Sequence, residues 1–486
     1  METLSLFVIL YILFTIFIGL YASRKIAGSS DFVLAGRSLP LYVTIATVFA
    51  TWFGSEAVLG IPSTFIEEGM GGIVADPFGA GLCLIFVGLF FAARLYRMKL
   101  LTIGDFYKRK FGRTVELLVS VAICISYLGW VAAQVVALGL IIQIVSGDAI
   151  PFTLAMVVGI TAVVIYTVIG GMWAVAYTDF IQMMMILVGL IAVAILVAMN
   201  VEGGATAVIQ EAKNQNRFDF WPEWNMAAIL GFVGTFITLA LGSIPQQDVF
   251  QRVMSARSEK TAVIGTVLGG SFYIIFCFVP IFIVFGASMI DPALVEGHMA
   301  EGGDTQRILP EFILGRAPIV IQILFFGALL SAIMSTASGT LLAPSAILAE
   351  NILKPVWNLK DKSLLLALRL CVLGFAVVVL GYAYLSASAG LSIFEMVENA
   401  YLLPLCGAFV PLVFGIYWSK SSKAGALASI FCGVGSWAVL EVLAFQAAAN
   451  DMDPMIVPPQ LAGVIIAALA MVVGSLVRPD TIKPEE

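Results

Sequence analysis

The stretch at residues 49–62, FATWFGSEAVLGIP, constrains the fold of this chain most strongly. It lies within an apolar run, from about residue 41 to 65, that is long enough to cross a bilayer. Glycine and proline weaken a helix, and Glu56 places an ionisable group at membrane depth. A helix that faces lipid does not tolerate this combination, whereas one that lines a cavity does. We therefore predict a discontinuous helix broken around Gly54 and Glu56. The alternative is an ordinary kinked helix with a protonated Glu56.

The composition predicts a membrane protein. Of 486 residues, 61% are hydrophobic and only 12% are charged, whereas soluble domains are about a quarter charged. Apolar runs of about 20 residues recur along the chain and predict an all-α polytopic membrane protein with about 13 transmembrane helices. The candidate spans are approximately 4–22, 41–65, 73–95, 115–146, 152–169, 175–199, 226–249, 262–289, 318–349, 364–386, 391–418, 424–447 and 458–477.

The positive charges predict the orientation. If the N-terminus lies outside, 21 of the 25 Lys and Arg residues fall in cytoplasmic loops or at cytoplasmic span ends. We therefore expect an integral multi-pass protein of the plasma (inner) membrane with its C-terminus in the cytoplasm. No nucleic-acid patch is visible. The single histidine, His298, lies in an outer loop, so histidine-based triads and histidine-ligated metals are not expected.

The ninth predicted span carries an unusual cluster of hydroxyl groups. Ser331, Ser335 and Ser338 share one helix face by their i, i+4, i+7 spacing, and Thr336 and Thr340 lie beside them. Small residues and hydroxyls also serve helix–helix packing, and that is the first interpretation. The second is a sodium site, because sodium is a hard cation that prefers oxygen ligands.

Two further polar positions interrupt apolar runs. Asp179 lies near the predicted cytoplasmic entry of the sixth span. It either caps a helix or pairs with a loop arginine there, or it serves as a cation ligand or a gate. The seventh span is interrupted at residues 245–248, PQQD, as a plain kink or as a second broken helix. The second and seventh spans are five spans apart. Paired interruptions at that spacing are typical of inverted-repeat transporters, whose substrate sites they mark.

Two tryptophans, Trp52 and Trp130, fall inside predicted spans rather than at the interfaces, and Gln134 lies one turn beyond Trp130 on the same face. Core packing is the usual role of such aromatics. The alternative is a cage that holds a cationic or apolar ligand through cation–π contacts.

Several of these motifs together resemble the sodium:solute symporter family, from AGRS at residues 35–38 to about residue 416. GGMWAVAYTDFIQ resembles the family's Gly-Gly…Thr-Asp-x-x-Gln element, and SAIMSTASGTLLAPSAILAENI resembles its sodium-site helix. ATWFGSEAVLG and SIPQQDVFQRVMSA are most similar to the high-affinity choline transporter branch.

The resemblance implies a leucine-transporter-like core of two inverted five-helix repeats with discontinuous first and sixth core helices. The repeats would be residues 41–200 and 226–418, with an outer loop at 201–225 between them. An extra N-terminal helix and loop at 1–40 would precede the core. Two peripheral helices and a short cytoplasmic tail at 419–486 would follow it.

The resemblance also implies sodium as the coupling ion. The main sodium site would comprise three carbonyls and two hydroxyls, those of Ala50, Phe53, Ala332, Ser335 and Thr336. Some members have a second sodium site, which here would use Asp179, Ser335 and Ser338. That site would also use a hydroxyl at position 339, and this chain has Gly339 there.

For the solute, Trp52 and Trp130 match two aromatic walls of the choline branch. Ala80 and Gln246 stand where the other two walls are expected, and Glu56 replaces a small residue. A four-sided cage for quaternary ammonium is therefore not expected. The candidate substrate-binding residues are Trp52, Gly54, Ser55, Glu56, Asp76, Trp130, Gln134, Gln246 and Gln247.

The function implied is a sodium-coupled secondary active symporter that imports a small organic solute by alternating access as a monomer. A cationic, zwitterionic or carboxylate solute, choline-like or an amino acid such as proline, fits this expectation, and proton coupling stays open. A non-transporting sensor or scaffold on the same fold is the main alternative. A channel would need repeated filter residues, and an enzyme a nucleophile–base pair; neither pattern is visible.

Overall fold

Long apolar helices form most of the chain in the computed structural model, which describes residues 2–450 and 455–480. Within these residues, ten helices are long and apolar enough to cross a membrane. They are Thr3–Lys25, Val74–Met98, Arg113–Val145, Phe152–Asn200, Glu259–Ile290, Ile319–Trp357, Asp361–Ser388, Ile393–Tyr417, Lys423–Ala447 and Pro459–Val477. The predicted all-α polytopic class is confirmed. The end of the predicted cytoplasmic tail, at residues 481–486, lies outside the described residues.

Two further apolar stretches are bent at a short break. The first broken span comprises Leu41–Trp52 and Glu56–Gly71, whose axes differ by 59°. The second broken span comprises Met226–Gly242 and Gln247–Ser255, at 44°. Both interruptions predicted from the sequence are therefore present, at the residues where glycine, proline and acidic side chains replace apolar ones.

The predicted count of thirteen spans is not confirmed. In the described part of the chain, the ten helices and two broken spans give at most twelve. The difference arises at Phe152–Asn200, a 49-residue stretch in which two helices join across a kink and which covers two predicted spans. Gly171 interrupts its backbone with φ 48° and ψ −145°. A Cβ atom at Gly171 would lie 2.5 Å from the Phe32 carbonyl oxygen, so both the conformation and the contact require glycine.

Shorter helices lie at the two ends of the bundle. They are Ser29–Leu34, Ile103–Phe111, Gly204–Asn214, Pro292–Met299 and Ile308–Arg316. We call the end where Arg97, Asp105 and Asn351 lie the basic end. The end where Glu67 and Thr305 meet is called the opposite end.

The helix Ile319–Trp357, called the Ser335 helix, runs through the centre of the bundle. Every residue from Phe325 to Ile347 in it is buried. It packs against Phe152–Asn200 and Arg113–Val145. Lys423–Ala447 and Pro459–Val477 instead pack mainly against each other and leave most of their surface exposed. The hydroxyl cluster therefore faces protein rather than lipid.

Candidate functional site

The break in the first broken span starts at Phe53, whose φ of −91° and ψ of 71° end the helix. A π-helical turn, Glu56–Gly60, follows. Gly54 between them has no room for a side chain. A Cβ atom there would lie 2.5 Å from Thr336 Oγ1, 2.7 Å from Glu56 Oε2 and 2.9 Å from Gln134 Oε1. Glycine at this position thus lets the broken backbone approach the polar groups of two other helices.

Glu56 is buried beside this break, accepts a long hydrogen bond from Ser55 Oγ at 3.5 Å, and is held by two donors from the helix Arg113–Val145. Trp130 Nε1 donates to Glu56 Oε1 at 3.0 Å, and Gln134 Nε2 donates to Glu56 Oε2 at 2.8 Å. Gln134 Oε1 in turn accepts the freed backbone N–H of Ser55 at 2.9 Å. Among the described residues, no Lys or Arg forms an ion pair with Glu56. The site therefore presents a carboxylate fixed in direction and without a cationic partner.

Four buried rings, of which Trp130 contacts this carboxylate, form what we call the aromatic cluster: Trp52, Tyr127, Trp130 and Tyr401. The Trp52 and Trp130 rings meet edge to face at 5.5 Å between centroids. The Tyr401 centroid lies 6.2 Å from that of Trp52 and 5.7 Å from that of Trp130. Tyr127 stacks on Trp130 at 6.1 Å. Aromatic rings thus line the break, although Ala80 and Gln246 contribute none.

Asp248 joins the two broken spans through this cluster. Trp52 Nε1 donates to Asp248 Oδ2 at 2.9 Å, and the Tyr127 hydroxyl donates to Asp248 Oδ1. The backbone N–H of Asp248 donates to the Tyr127 oxygen at 2.8 Å. Asp248 lies in the first turn of Gln247–Ser255, where the helix dipole favours a negative charge.

Sequence reasoning missed Tyr127, Asp248 and Tyr401 as site residues. Asp248 carried a signal, because it is the acid in the interruption PQQD. Tyr127 carried a weaker one, as it lies one turn before Trp130 on the same face. Tyr401 carried none, since an aromatic in an apolar run is most often a packing residue.

The remaining predicted substrate residues, Asp76, Gln246 and Gln247, have hydrogen-bond partners in different parts of the molecule. The Asp76 carboxylate accepts a hydrogen bond from the Tyr273 hydroxyl at 2.5 Å, and the Tyr273 ring meets the Phe53 ring edge to face at 6.2 Å, so Asp76 lies near the break. Gln246 Nε2 donates to Ser126 Oγ at 2.9 Å. Gln247 Oε1 accepts from the backbone N–H of Ile103 at 2.8 Å, so its contact is with the basic end rather than the aromatic cluster.

The residues expected at the main sodium site lie where the Ser335 helix crosses the first broken span. Thr336 Oγ1 donates to the Ala50 carbonyl oxygen at 3.4 Å. Ser335 Oγ donates to Asp179 Oδ1 at 2.6 Å. Phe53 is the residue at which the helix ends, and Ala332 lies one turn before Thr336 in the Ser335 helix. Oxygen atoms from both elements are thus close together.

Other hydroxyls of the cluster have structural partners. Ser331 Oγ lies 2.5 Å from the Tyr11 hydroxyl, Thr340 Oγ1 donates to the Thr336 carbonyl at 2.7 Å, and Ser338 Oγ donates to the Ser335 carbonyl at 2.9 Å. The packing interpretation therefore accounts for Ser331 and Thr340. Within the described residues, no group of three or more His, Cys, Asp or Glu side chains could hold a metal ion, so a cation here would depend on carbonyl and hydroxyl oxygens.

Polar networks lie at both ends of the bundle. At the basic end, buried Asn351 donates to Asp105 Oδ1 at 3.0 Å and to Glu116 Oε1 at 2.9 Å, and accepts from Thr102 Oγ1 at 2.7 Å. At the opposite end, Thr305 Oγ1 donates to Glu67 Oε1 at 2.7 Å. A cavity of about 570 Å³ lies there, with Glu67 and Thr305 in its lining.

Two broken spans whose interruptions meet around fixed polar groups are typical of secondary transporters. The chain belongs to the sodium:solute symporter family, whose model matches residues 32–433. The family recognised from the sequence motifs is thereby confirmed. Membership places the chain among integral multi-pass membrane transporters rather than enzymes.

Relatives include the human high affinity choline transporter 1, which is 28% identical over 391 residues, 76% of this chain and 65% of that protein. The chain thus spans slightly less than two thirds of that relative. The sodium/proline symporter 2 of Staphylococcus saprophyticus is 28% identical over 445 residues, 88% of this chain and 83% of that protein. A solved Na⁺-coupled sialic acid symporter, in a substrate-bound outward-open state, superposes with a TM-score of 0.80 at 18% identity, covering 99% of both chains.

Proposed function

We propose that this protein is a sodium-coupled symporter that imports a small organic solute carrying a positively charged nitrogen. The observation that carries the proposal is the Glu56 carboxylate, which is fixed at the break by Trp130 and Gln134 and lies beside the aromatic cluster.

The charge of the site favours a cationic or zwitterionic solute over a carboxylate one. A buried carboxylate without a cationic partner is costly at membrane depth. A solute with a charged nitrogen would offset that cost and could also contact ring faces of Trp52 or Tyr401. A carboxylate solute would bring a like charge towards Glu56 and Asp76. Choline and proline, the solutes in the names of two relatives, both carry a positively charged nitrogen.

Sodium would bind where the first broken span meets the Ser335 helix. The proposed ligands are the carbonyl oxygens of Ala50, Phe53 and Ala332 and the hydroxyl oxygens of Ser335 and Thr336. In this arrangement sodium links a discontinuous helix to a continuous one, so binding would favour one arrangement of the two over the other. Through this coupling, a sodium gradient would drive transport of the solute.

The charge distribution indicates the orientation of the protein, and the sodium gradient and the membrane potential would set the direction of transport. Under the positive-inside rule, the basic end faces the cytoplasm, and the cavity at the opposite end faces outward. An inside-negative potential adds about 2.3 kcal/mol per positive charge per 100 mV to inward movement. The Asn351 network would act as the cytoplasmic barrier in the cycle of alternating access.

A thermal-shift screen of the purified protein tests the proposal. The solutes would be primary amines, quaternary amines, betaines, amino acids and simple carboxylates, each with sodium or potassium, because a bound ligand stabilises by mass action. We expect at least one cationic or zwitterionic solute to raise the melting temperature in sodium and not in potassium. Stabilisation by carboxylate anions alone, or stabilisation that ignores sodium, would contradict the proposal.

A further inference from the structure

An apolar pocket, which we call the flank pocket, opens on the side of the bundle near the opposite end. Its volume is about 300 Å³, and an apolar cavity of roughly 150 Å³ is already large enough to bind benzene. Nine side chains line the pocket; all nine are apolar, and five of them are phenylalanines. Because none of the nine can form a hydrogen bond, water has little to bind there, and the pocket is suited to a hydrocarbon.

The mouth of the flank pocket faces the lipid side of Glu259–Ile290. Phe278 in its lining is exposed, and so is Ile275, one turn earlier on the same helix face. Phe278 lies about three turns, or about 18 Å along the axis, before the helix ends at Ile290. Apolar residues exposed at that depth contact acyl chains, because the hydrocarbon core of a bilayer is about 30 Å thick.

Two tryptophans mark the membrane interface just beyond the pocket. Trp221 and Trp224 are both exposed, and tryptophan is enriched at the level of the lipid headgroups. Phe220 beside them packs on Phe78, with 4.7 Å between ring centroids, and Phe78 packs on Phe278 at 6.1 Å. The pocket thus lies on the hydrocarbon side of the headgroups, where an acyl chain could enter without leaving the bilayer.

The buried wall of the flank pocket belongs to the first broken span. Phe65 lies in the outer half of that span, Glu56–Gly71, and its side chain lines the pocket. The Phe65 ring meets the Phe285 ring edge to face, with 6.3 Å between centroids. A molecule in the pocket would therefore contact the same helical segment that begins at the break.

The segment that covers the pocket is held by that outer half as well. Ala212 of Gly204–Asn214 lines the pocket, and a loop follows this helix. In the loop, the Arg217 carbonyl accepts from the Met70 N–H at 2.8 Å, and Arg217 Nη1 donates to the Glu67 carbonyl at 3.3 Å. The wall and the cover of the pocket are thus joined, so filling the pocket would stabilise both.

Two cations lie at the edge of the flank pocket. Lys213 and Arg217 are each adjacent in sequence to a lining residue, and neither forms an ion pair with a described residue. A lipid phosphate is an anion available at this level. Glu211 and Asp219 each lie two residues from one of these cations. A headgroup with both a phosphate and an amine therefore matches this edge better than a purely anionic one.

We propose that the flank pocket binds an acyl chain of a zwitterionic phospholipid of the outer leaflet, and that the bound lipid stabilises the outer half of the first broken span. The apolar walls hold the chain, and Lys213 and Arg217 attract the phosphate. Because Phe65 forms one wall, the lipid favours the arrangement in which this wall is in place over one in which it has moved. The inference requires neither sodium coupling nor a particular solute.

Native mass spectrometry of the delipidated full-length protein tests the inference. The probes are phosphatidylethanolamine, phosphatidylglycerol with the same acyl chains, and cholesterol, each at the same concentration. We expect phosphatidylethanolamine to bind most tightly and to raise the melting temperature of the protein. In Ala212→Phe a ring fills the pocket, and we expect the affinity for phosphatidylethanolamine to fall about tenfold, because the chain loses its apolar contacts.

Ala205→Phe is the matched control, because Ala205 is exposed on the same helix and does not line the pocket. It should bind phosphatidylethanolamine as the wild type does. Ile209→Ser places a polar group at an exposed lining residue and should also weaken binding, which keeps the test decisive if Ala212→Phe does not fold.

The headgroup contact has its own variant. Lys213→Gln should weaken binding of phosphatidylethanolamine about threefold, as for an exposed charge pair, whereas Lys362→Gln, at an exposed residue of the basic end, should not. Equal affinity in the wild type and the pocket variants, or a preference for phosphatidylglycerol or cholesterol, would overturn the inference.

Discussion

The indole N–H of Trp130 points at the carboxylate of Glu56, with 3.0 Å between Nε1 and Oε1. This contact joins a continuous helix to the break in the first broken span. The hydrogen bond fixes the orientation of the Glu56 carboxylate, and Gln134 Nε2 donates to its second oxygen at 2.8 Å. A group oriented in this way is suited to receive the charged nitrogen of a solute.

Glu56→Gln should therefore weaken binding of a cationic solute about tenfold or more, because hydrogen bonds to charged groups contribute about 1.5–3 kcal/mol. The measurement is the dissociation constant of whichever cationic solute the thermal-shift screen identifies. Glu350→Gln is the matched control, as Glu350 pairs with Lys354 at the basic end, and it should bind as wild type. An unchanged dissociation constant in Glu56→Gln would remove Glu56 from the solute site.

The ring of Tyr401 closes the aromatic cluster over Trp52 and Trp130. Tyr401→Ala removes a ring face, and we expect binding of a cationic solute to weaken about tenfold, in line with cation–π energies of about 1–2 kcal/mol. Tyr401→Phe keeps the ring and should stay within about threefold of wild type on the same energy scale. Equal losses in both variants would instead indicate that the Tyr401 hydroxyl matters. Tyr382→Ala, at an exposed tyrosine, serves as the neutral control.

Loss of the two hydroxyls at the proposed sodium site should abolish sodium dependence. In Ser335→Ala/Thr336→Ala, we expect the sodium-dependent increase in solute affinity to disappear or to shift to at least about tenfold higher sodium, since each ligand lost is worth about a kcal/mol or more. The measurement is a sodium titration of solute binding.

Thr340→Ala/Ser345→Ala is the control for that experiment. These two hydroxyls lie on the same helix and each donates at 2.7 Å to the carbonyl four residues earlier. The control should retain the wild-type sodium response. If both double variants lost it equally, a general effect on the helix would replace the site as the explanation.

The Asn351 network predicts an effect on stability. Asn351→Leu removes the donors that satisfy Asp105 Oδ1 and Glu116 Oε1, and an unsatisfied buried acceptor costs about 1–3 kcal/mol. We expect a lower free energy of unfolding and a lower melting temperature in detergent. Asn200→Leu, at an exposed residue whose side chain bonds only its own helix, should leave both nearly unchanged. Equal melting temperatures for Asn351→Leu and wild type would contradict a structural role for the network.

Features of the site that depend on neighbouring residues in the chain could be predicted from the sequence. Features that depend on contacts between distant segments could not. Gly54 and Glu56 predicted the first break, because both residues are unfavourable in a lipid-facing helix. Gln134 followed from its helical spacing to Trp130. Tyr401 approaches Trp52 only through tertiary packing, and an aromatic in an apolar run has no pattern that separates a cavity wall from a lipid contact.

The span count shows the same limit. Hydropathy divides the chain at residues 170–174 into two spans, and two helices do join there across a kink at Gly171, with no loop between them. Gly171 adopts a positive φ against the Phe32 carbonyl, and that contact depends on a segment about 140 residues earlier in the chain. Likewise, nothing in the sequence indicates that the guanidinium of Arg252, in Gln247–Ser255, lies where a Cβ atom at Gly339 would be.

Concentrative uptake into proteoliposomes is the decisive test of sodium-coupled import by this protein. The purified protein would be reconstituted with sodium outside, potassium inside and an inside-negative potential, and supplied with a labelled cationic or zwitterionic solute that shifts its melting temperature. We expect the solute to accumulate inside above the external concentration, and this gradient to collapse when a sodium ionophore is added. Uptake that stops at equal concentrations, or that proceeds equally well with potassium outside, would contradict it and favour a channel, a sensor or a scaffold.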